Sequence, residues 1–426
     1  VSELKLRRRS ILLLGAAWAA GLSSQVHAQT VETTSSISTP PAKPKLNSTL
    51  ATHTGIVADK GEAAMLTLGS EEALNGAIAH YQEIVAGGGW PTLPNKKIGK
   101  TSKGPQIVLL RQRLVAEGYL PFDALSIATP EVFDDEMSQA ITAFQINHGV
   151  AQTGTVGDKT LAELNVPAEG RLAALEENLI RVQIYSKGIM ERMILVNIPS
   201  MQLETSHLDR VYSRHNVVVG KLERPSPALM SKVSDVNFNP YWKIPASIVA
   251  KDIVPKYLAD SSYLAQMHIR VFDGVEGPEI DPSTIDWPST PPERYFFRQD
   301  PGDFNSLGLV KINFPNEFMV YMHDTPHREL FGGNARLESS GCVRVDQVKT
   351  VVDWVLDGQN GFDSATYDAN IASHQNSVVK VDAPIGVRFM YLTAWATEDG
   401  AVNFRPDVYG LDGTGFVLGQ PEPKTN

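Results

Sequence analysis

The sequence predicts an α+β chain of several domains, with helices first and strands after. Three observations carry this reading. Residues 70–182 place apolar side chains at helical spacing, in segments broken by glycines. Residues 194–392 contain short apolar or alternating runs of strand length. A proline-rich stretch from about 224 to 297 splits those runs. A length of 426 residues with 42% hydrophobic content suits two or three domains with ordinary cores.

Residues 1–28 read as a signal peptide: Lys5, Arg7, Arg8 and Arg9 precede an apolar run from Ile11 to Leu22, and Val26-His27-Ala28 offers a cleavage site. The apolar run is short for a spanning helix. Arg8-Arg9 suggests twin-arginine export only weakly, so ordinary Sec export to the periplasm is the expectation. The net charge of −10 argues against a general nucleic-acid binder. Residues 29–60, rich in Thr, Ser, Pro and Ala, read as a disordered linker.

Residues 61–97 form the first helical segment, a scaffold in which Leu74, Ile78, Tyr81 and Val85 share a face and Gly87-Gly88-Gly89 ends the helix. Residues 98–168 form a three-helix module. Ile107, Leu110 and Leu114 line its first helix, which stops at Gly118. Met137, Ala140, Ile141 and Phe144 line the second, which stops at Gly149, and Leu161 and Leu164 belong to a short third. Residues 169–192 contain a connecting helix with Leu172, Leu175, Leu179 and Val182 along one side. Strands are expected at Ile194 to Ile198, Val217 to Val219, Val310 to Ile312, Phe318 to Met322 and Val387 to Leu392, within a β-rich domain over 193–396. The insertion at 224–297 suits a cap or, on pattern alone equally well, a purely structural excursion, and 397–426 is read as a C-terminal tail.

Chemistry gathers around the chain's single cysteine, Cys342. One thiol in an exported chain cannot form an internal disulfide. Activation of a thiol needs a base, cations or a helix N-terminus. His323, placed at a strand end before the turn Asp324-Thr325-Pro326, is the base candidate, and His327 is its rival. Val348, Val351, Val352 and Val355 predict a helix capped by Asp346, just after the cysteine. Gly341 permits close backbone approach, and amides near Gly341 and Cys342 are candidates for an oxyanion hole. Arg344 alternates with Val343 and Val345, so it shares a face with Cys342 and suits a substrate carboxylate.

His323-Asp324-Thr325-Pro326 followed by Ser339-Ser340-Gly341-Cys342-Val343-Arg344-Val345 resembles the signature of the L,D-transpeptidases of bacterial cell walls. Asn239 to Pro245, Arg298 to Gly302, Asn305 to Gly308 and Phe389 to Trp395 agree with the large periplasmic type. Leu110 to Leu114, Gly118-Tyr119, Ala143-Phe144-Gln145 and Thr153 to Leu164 resemble a peptidoglycan-binding module. Many members carry His where this chain has Ser340, which leaves the base role to His323.

The resemblance implies a β-sandwich-like catalytic domain with an inserted cap, and an acyl transfer on peptidoglycan tetrapeptide stems. Cys342 would form a thioester with the third-residue carbonyl, D-alanine would leave, and a diamino-acid side-chain amine of another stem would accept the acyl group. The catalytic set is then Cys342, His323 and Gly341. Substrate-binding candidates are Arg344, Ser339, Ser340, Tyr321, Asn334, Arg336 and Trp242. No metal or cofactor is implied, carbapenems are implied as inhibitors, and glycan and stem peptides are the expected partners. An outer-membrane protein as acceptor stays open, as does a wall-binding scaffold without activity. A sortase-like enzyme fits less well, since its Thr-x-Thr-Cys context is absent.

Overall fold

A computed structural model describes residues 63–333, 335–359 and 361–416. The expected signal peptide and linker, and the candidate Asn334, lie outside the described residues.

Helix α1 (Ser70–Ala86) buries Leu74, Ala77, Ile78 and Tyr81 on one side. The module follows as α2 (Pro105–Ala116), α3 (Asp135–Asn147) and α4 (Asp158–Leu164). Asp134 caps α3 by accepting from the Met137 amide at 2.8 Å. Ile107, Leu110, Leu114, Met137, Ile141 and Phe144 are all fully buried in the module's own core. Gln145 is buried beside them. Its Oε1 accepts from the amides of Thr153 (2.8 Å) and Gly154 (3.0 Å), while Nε2 donates to Thr155 O (2.8 Å) and Thr160 Oγ1 (2.9 Å). In the Phe144-Gln145 pair, therefore, one residue fills the core and the other pins the following turn.

Helix α5 (Ala168–Tyr185) packs on α1 and buries Leu175, Val182 and Tyr185 against the strands that follow. These begin with β1 (Arg192–Asn197), β2 (Gln202–His207), β3 (Arg210–Gly220), β4 (Leu229–Lys232) and β5 (Asp235–Phe238). The cap comes next: β6 (Trp242–Lys243), α6 (Ala246–Ile248), a π-helical turn at Val249–Ile253, α7 (Val254–Ala259), α8 (Tyr263–Gln266), β7 (Ile269–Phe272), β8 (Glu279–Ile280) and β9 (Phe296–Gln299). Its strands form their own sheet, ordered β6-β9-β7-β8, over a separate core that includes Ile244, Val249, Trp287 and Phe297. The chain then returns through β10 (Val310–Asn313), β11 (Met322–His323), β12 (Leu337–Ser339), β13 (Val343–Val345), α9 (Val348–Leu356), α10 (Ser364–Ala372), β14 (Ser377–Lys380), β15 (Gly386–Met390), β16 (Ala394–Ala396) and β17 (Val402–Phe404).

Eleven strands follow the order β14-β5-β10-β11-β13-β3-β2-β1-β15-β4, with β12 also on β3. The long β3 joins two halves: Arg210 to Asn216 pair with β2, while Val217 and Val218 pair with β13. Both halves turn apolar residues to one core, Ile194, Val196 and Leu203 from one and Val236, Ile312, Met322 and Val343 from the other. That shared core gives the domain its sandwich-like character. Helix α9 closes it with Val348, Val351, Val352 and Val355, each at most 2% exposed. Burying each valine contributes about 1.5–2 kcal/mol.

Four expectations are corrected. The insertion begins after β5 rather than at residue 224, because Leu229, Val236 and Phe238 are buried in the core shared by the two halves of the sheet. Phe318 is in a turn and Met319 follows at a φ of 56°, so the strand carrying His323 is only two residues long. Asp346 does not cap α9; Gln347, in the left-handed region at φ 48°, occupies that position. Residues 397–416 are no loose tail, since β17 pairs with β16 and Phe404 is buried on the α1–α5 side. Among the described residues no helix is long and apolar enough to cross a membrane.

Candidate active site

Strand register assembles the site. β11 and β13 run parallel, with Met322 beside Val343 and His323 beside Arg344. Since successive side chains alternate faces, Met322, Val343 and Val345 enter the core, while Tyr321, His323, Cys342 and Arg344 share the opposite face. That face forms one wall of a cleft of about 580 Å³. The cap supplies another, including Trp242, Ile248, Asp252 and Tyr263.

Cys342 is half-buried, and its sulfur takes hydrogen bonds from the backbone and the hydroxyl of Tyr321. Burial raises the thiol pKa above its ordinary value, and those bonds and the charges of Lys311 and Arg344 offset that rise only in part. The Tyr321 hydroxyl also accepts a side-chain bond from Trp242, so the cap reaches the thiol through one intermediate residue. His323 is buried, and its Nδ1 lies 2.5 Å from the Asp324 carbonyl. As that carbonyl can only accept, Nδ1 carries the proton of the neutral ring. Burial first, and then the Arg344 cation, lowers the His323 pKa to about 3. The ring is therefore neutral near pH 7. Asp324 is itself held by the Leu309 amide (3.0 Å) and by Arg328 (2.7 Å).

The loop before the cysteine is braced from three sides. Gly341 sits at a φ of 108°, where a side chain would be strained. Ser226 Oγ donates to Gly341 O at 2.8 Å and accepts from Gly220 N at 2.9 Å. Tyr409 links the same elements, donating to Gly220 O (2.7 Å) and accepting from Ser226 N (3.1 Å). Ser339 Oγ donates to Cys342 O (2.5 Å) and accepts from Gly341 N (3.1 Å). The Gly341 amide is thus already engaged, and it does not point at a vacant oxyanion position as expected.

Cys342, His323, Tyr321, Ser339, Ser340, Arg344 and Trp242 all line the cleft. Arg344 is half-buried, with its Nε buried and without a hydrogen-bond partner. Arg336 does not belong to this set. It is 2% exposed and donates to Val217 O (3.0 Å), Gly333 O (2.9 Å) and Met201 O (2.8 Å). Its guanidinium is consumed in holding backbone, which corrects its assignment to substrate. His327 bonds Glu329 at 3.2 Å in an exposed position and does not line the cleft. Strand β13 separates Cys342 from α9, which puts the thiol beyond the first turn where a helix dipole acts.

Two participants escaped the sequence reading. Arg224 contacts both Asp252 of the cap and Ser340 of the loop before Cys342. Lys311 lies opposite His323 on β10. Its alternation with Val310 and Ile312 was the available signal. Among the described residues no group of three His, Cys, Asp or Glu side chains is placed to hold a metal ion.

Residues 191–365 match a family model described as the L,D-transpeptidase catalytic domain, and residues 103–164 match a putative peptidoglycan binding domain. A protein of Haemophilus influenzae named as a putative L,D-transpeptidase is 34% identical over 220 residues, which is 51% of this chain and 44% of that relative. The chain thus spans less than half the length of that relative. The L,D-transpeptidase of Stackebrandtia nassauensis overlaps 70% of this chain and 96% of its own, at 12% identity and a TM-score of 0.26. L,D-transpeptidase 3 of Mycobacterium tuberculosis, solved with a faropenem-derived adduct, overlaps 46% of this chain and 60% of its own, at 13% identity and a TM-score of 0.22. At TM-scores this low, neither overlap bears on the chemistry of the cleft.

Proposed function

We propose that this chain, which belongs through residues 191–365 to the L,D-transpeptidase catalytic domain family, is a cysteine acyltransferase acting on peptidoglycan tetrapeptide stems. The observation that carries this reading is the β11–β13 register, which sets Cys342 and Arg344 beside Tyr321 and His323 on the wall of one cleft.

In this reading Cys342 attacks the carbonyl joining the third stem residue to D-alanine. Its proton passes to the neutral His323 ring and then to the departing D-alanine amine. A thioester remains on Cys342. The side-chain amine of a second stem's diamino acid attacks it, gives up a proton, and releases the thiol with a cross-link formed. Arg344 suits a stem carboxylate, because its buried Nε lacks a partner and its guanidinium forks toward the cleft wall. The module over 103–164 would hold the enzyme to glycan. Carbapenems would acylate the same thiol, and the periplasm is the compartment in which all of this would occur.

The test is incubation with a purified tetrapeptide-bearing wall fragment, followed by mass spectrometry. Loss of D-alanine with dimer formation is expected. Loss with addition of water alone would make the chain a carboxypeptidase, and wall binding without reaction would make it a scaffold. Either result overturns the proposal.

A further inference from the structure

The neutral state of His323 raises a question of charge. A cysteine paired with an imidazolium is held as thiolate by that cation, but here the ring is buried and uncharged near pH 7. The thiol's hydrogen bonds come from Tyr321. Any positive field that favours the thiolate must therefore come from elsewhere.

Strand β10 supplies it. Lys311 lies directly opposite His323 in the antiparallel β10–β11 pair, as Ile312 lies opposite Met322. Val310 and Ile312 are fully buried in the catalytic core, so Lys311 projects from the face that bears Tyr321, His323 and Cys342. Its ammonium rests 4.0 Å from the centroid of the Tyr321 ring. The hydroxyl of the same ring bonds the Cys342 sulfur. Among the described residues Lys311 has no carboxylate within ion-pair distance. Asp235, the acidic side chain that acts on it from β5, is engaged by Asn313 at 2.6 Å, by Ser234 at 2.8 Å and by Lys380 at 3.9 Å. A half-buried ammonium without a counter-ion is costly. The cost is offset if the sulfur beyond the tyrosine ring takes the negative charge.

We infer that Lys311 is a positioning residue that favours the thiolate form of Cys342 across the Tyr321 ring, with Arg344 acting from the other flank. This rests on the reading of Cys342 as nucleophile. Only one proton moves: on ionisation the thiol gives it to solvent, and Lys311 keeps its own. The groups acting on Cys342 are Tyr321, just before β11, Lys311 from β10 and Arg344 from β13. Those facing Lys311 are Asp235 from β5, Lys243 from the cap's β6 and Cys342 itself. The second lysine disfavours two ammonium charges and so sharpens the need for an anion.

The chain's single cysteine makes the test direct, because every alkyl adduct reports on Cys342. The rate of alkylation by iodoacetamide, an uncharged reagent, is followed from pH 5 to 10 in the full chain. Lys311→Met keeps an apolar stem over the Tyr321 ring; Lys311→Arg keeps the charge. Removing one nearby charge is expected to raise the midpoint by about one unit and slow alkylation near pH 7 about tenfold. The arginine variant should stay within about twofold of the parent. Near-ultraviolet circular dichroism identifies a misfolded variant, and Lys311→Gln then replaces the methionine. An unshifted midpoint in a folded, uncharged variant overturns the inference, even if wall turnover is lost. Failure of the parent to act on wall fragments would overturn the proposed function while leaving this titration readable.

Discussion

Arg224 holds the Asp252 carboxylate with both terminal nitrogens, at 2.6 and 3.1 Å. Nη1 also donates to Ser340 Oγ at 2.9 Å. One side chain thus ties the π-turn of the cap to the loop that presents Cys342. Both partners are partly exposed, so the pair is worth only about 1 kcal/mol or less to global stability. Its effect is expected to be local. Arg224→Ala should leave the melting temperature nearly unchanged but speed amide exchange over residues 246–259. Unaltered exchange there would mean that other contacts hold the cap closed.

The two central residues separate cleanly by substitution. Cys342→Ala is expected to remove all covalent labelling by a carbapenem while leaving the circular dichroism spectrum as it was, since the thiol contributes little to the core. His323→Ala should slow acylation by roughly a hundredfold, the usual contribution of a positioned base. Intact-mass spectrometry at timed intervals reads both. An unchanged acylation rate in the His323 variant would remove it from the mechanism.

Buried neutral histidines make the fold acid-sensitive. Burial lowers His215 from 6.5 to about 4, and burial followed by the Arg344 charge lowers His323 to about 3. Between those values and 6.5 the unfolded chain binds more protons than the folded one. Stability therefore rises with pH across this window and is lost as pH falls through it. Urea unfolding at pH 4.5 should show a stability lower by on the order of 2 kcal/mol or more than at pH 7.5. His215→Gln, which removes one such group, should flatten that slope. A variant with an equally steep slope would place the acid sensitivity elsewhere.

Gln145 offers a test confined to the module. Gln145→Leu leaves the amides of Thr153 and Gly154 without their acceptor. The Gly154 amide is buried, and orphaning it costs about 1–3 kcal/mol. The module should therefore loosen and sedimentation with isolated peptidoglycan should weaken, with carbapenem acylation of Cys342 unaffected. Full wall binding in a destabilised module would place glycan recognition outside it.

How much could be read beforehand depends on where the information lies. Alternation placed Arg344 on the face of Cys342 and put His323 at a strand end, while the pairing that brings His323 to the same face lies between β11 and β13. Strands whose apolar runs are continuous, as at Ile194 to Ile198, were also visible. The cap's true start was not, because Val236 and Phe238 pair with β10 and β14 across more than seventy residues of chain. Proline content marks irregular backbone but says nothing of such pairing. Arg336 was misread because an arginine near a nucleophile looks the same in sequence whether it faces a cleft or clamps three carbonyls. Arg224 and Asp252 sit in no motif, and only folding brings them together.

Tyr409 has a consequence for how such an enzyme comes into being. Its hydroxyl ties Gly220 to Ser226, and Ser226 holds the carbonyl of Gly341. During synthesis the ribosome delivers Cys342 well before it delivers Tyr409. A nascent chain thus exposes its thiol while the loop around it still lacks a brace. Cys342 therefore reaches its braced geometry only after a residue sixty-seven positions further along the chain has been added and folded into place.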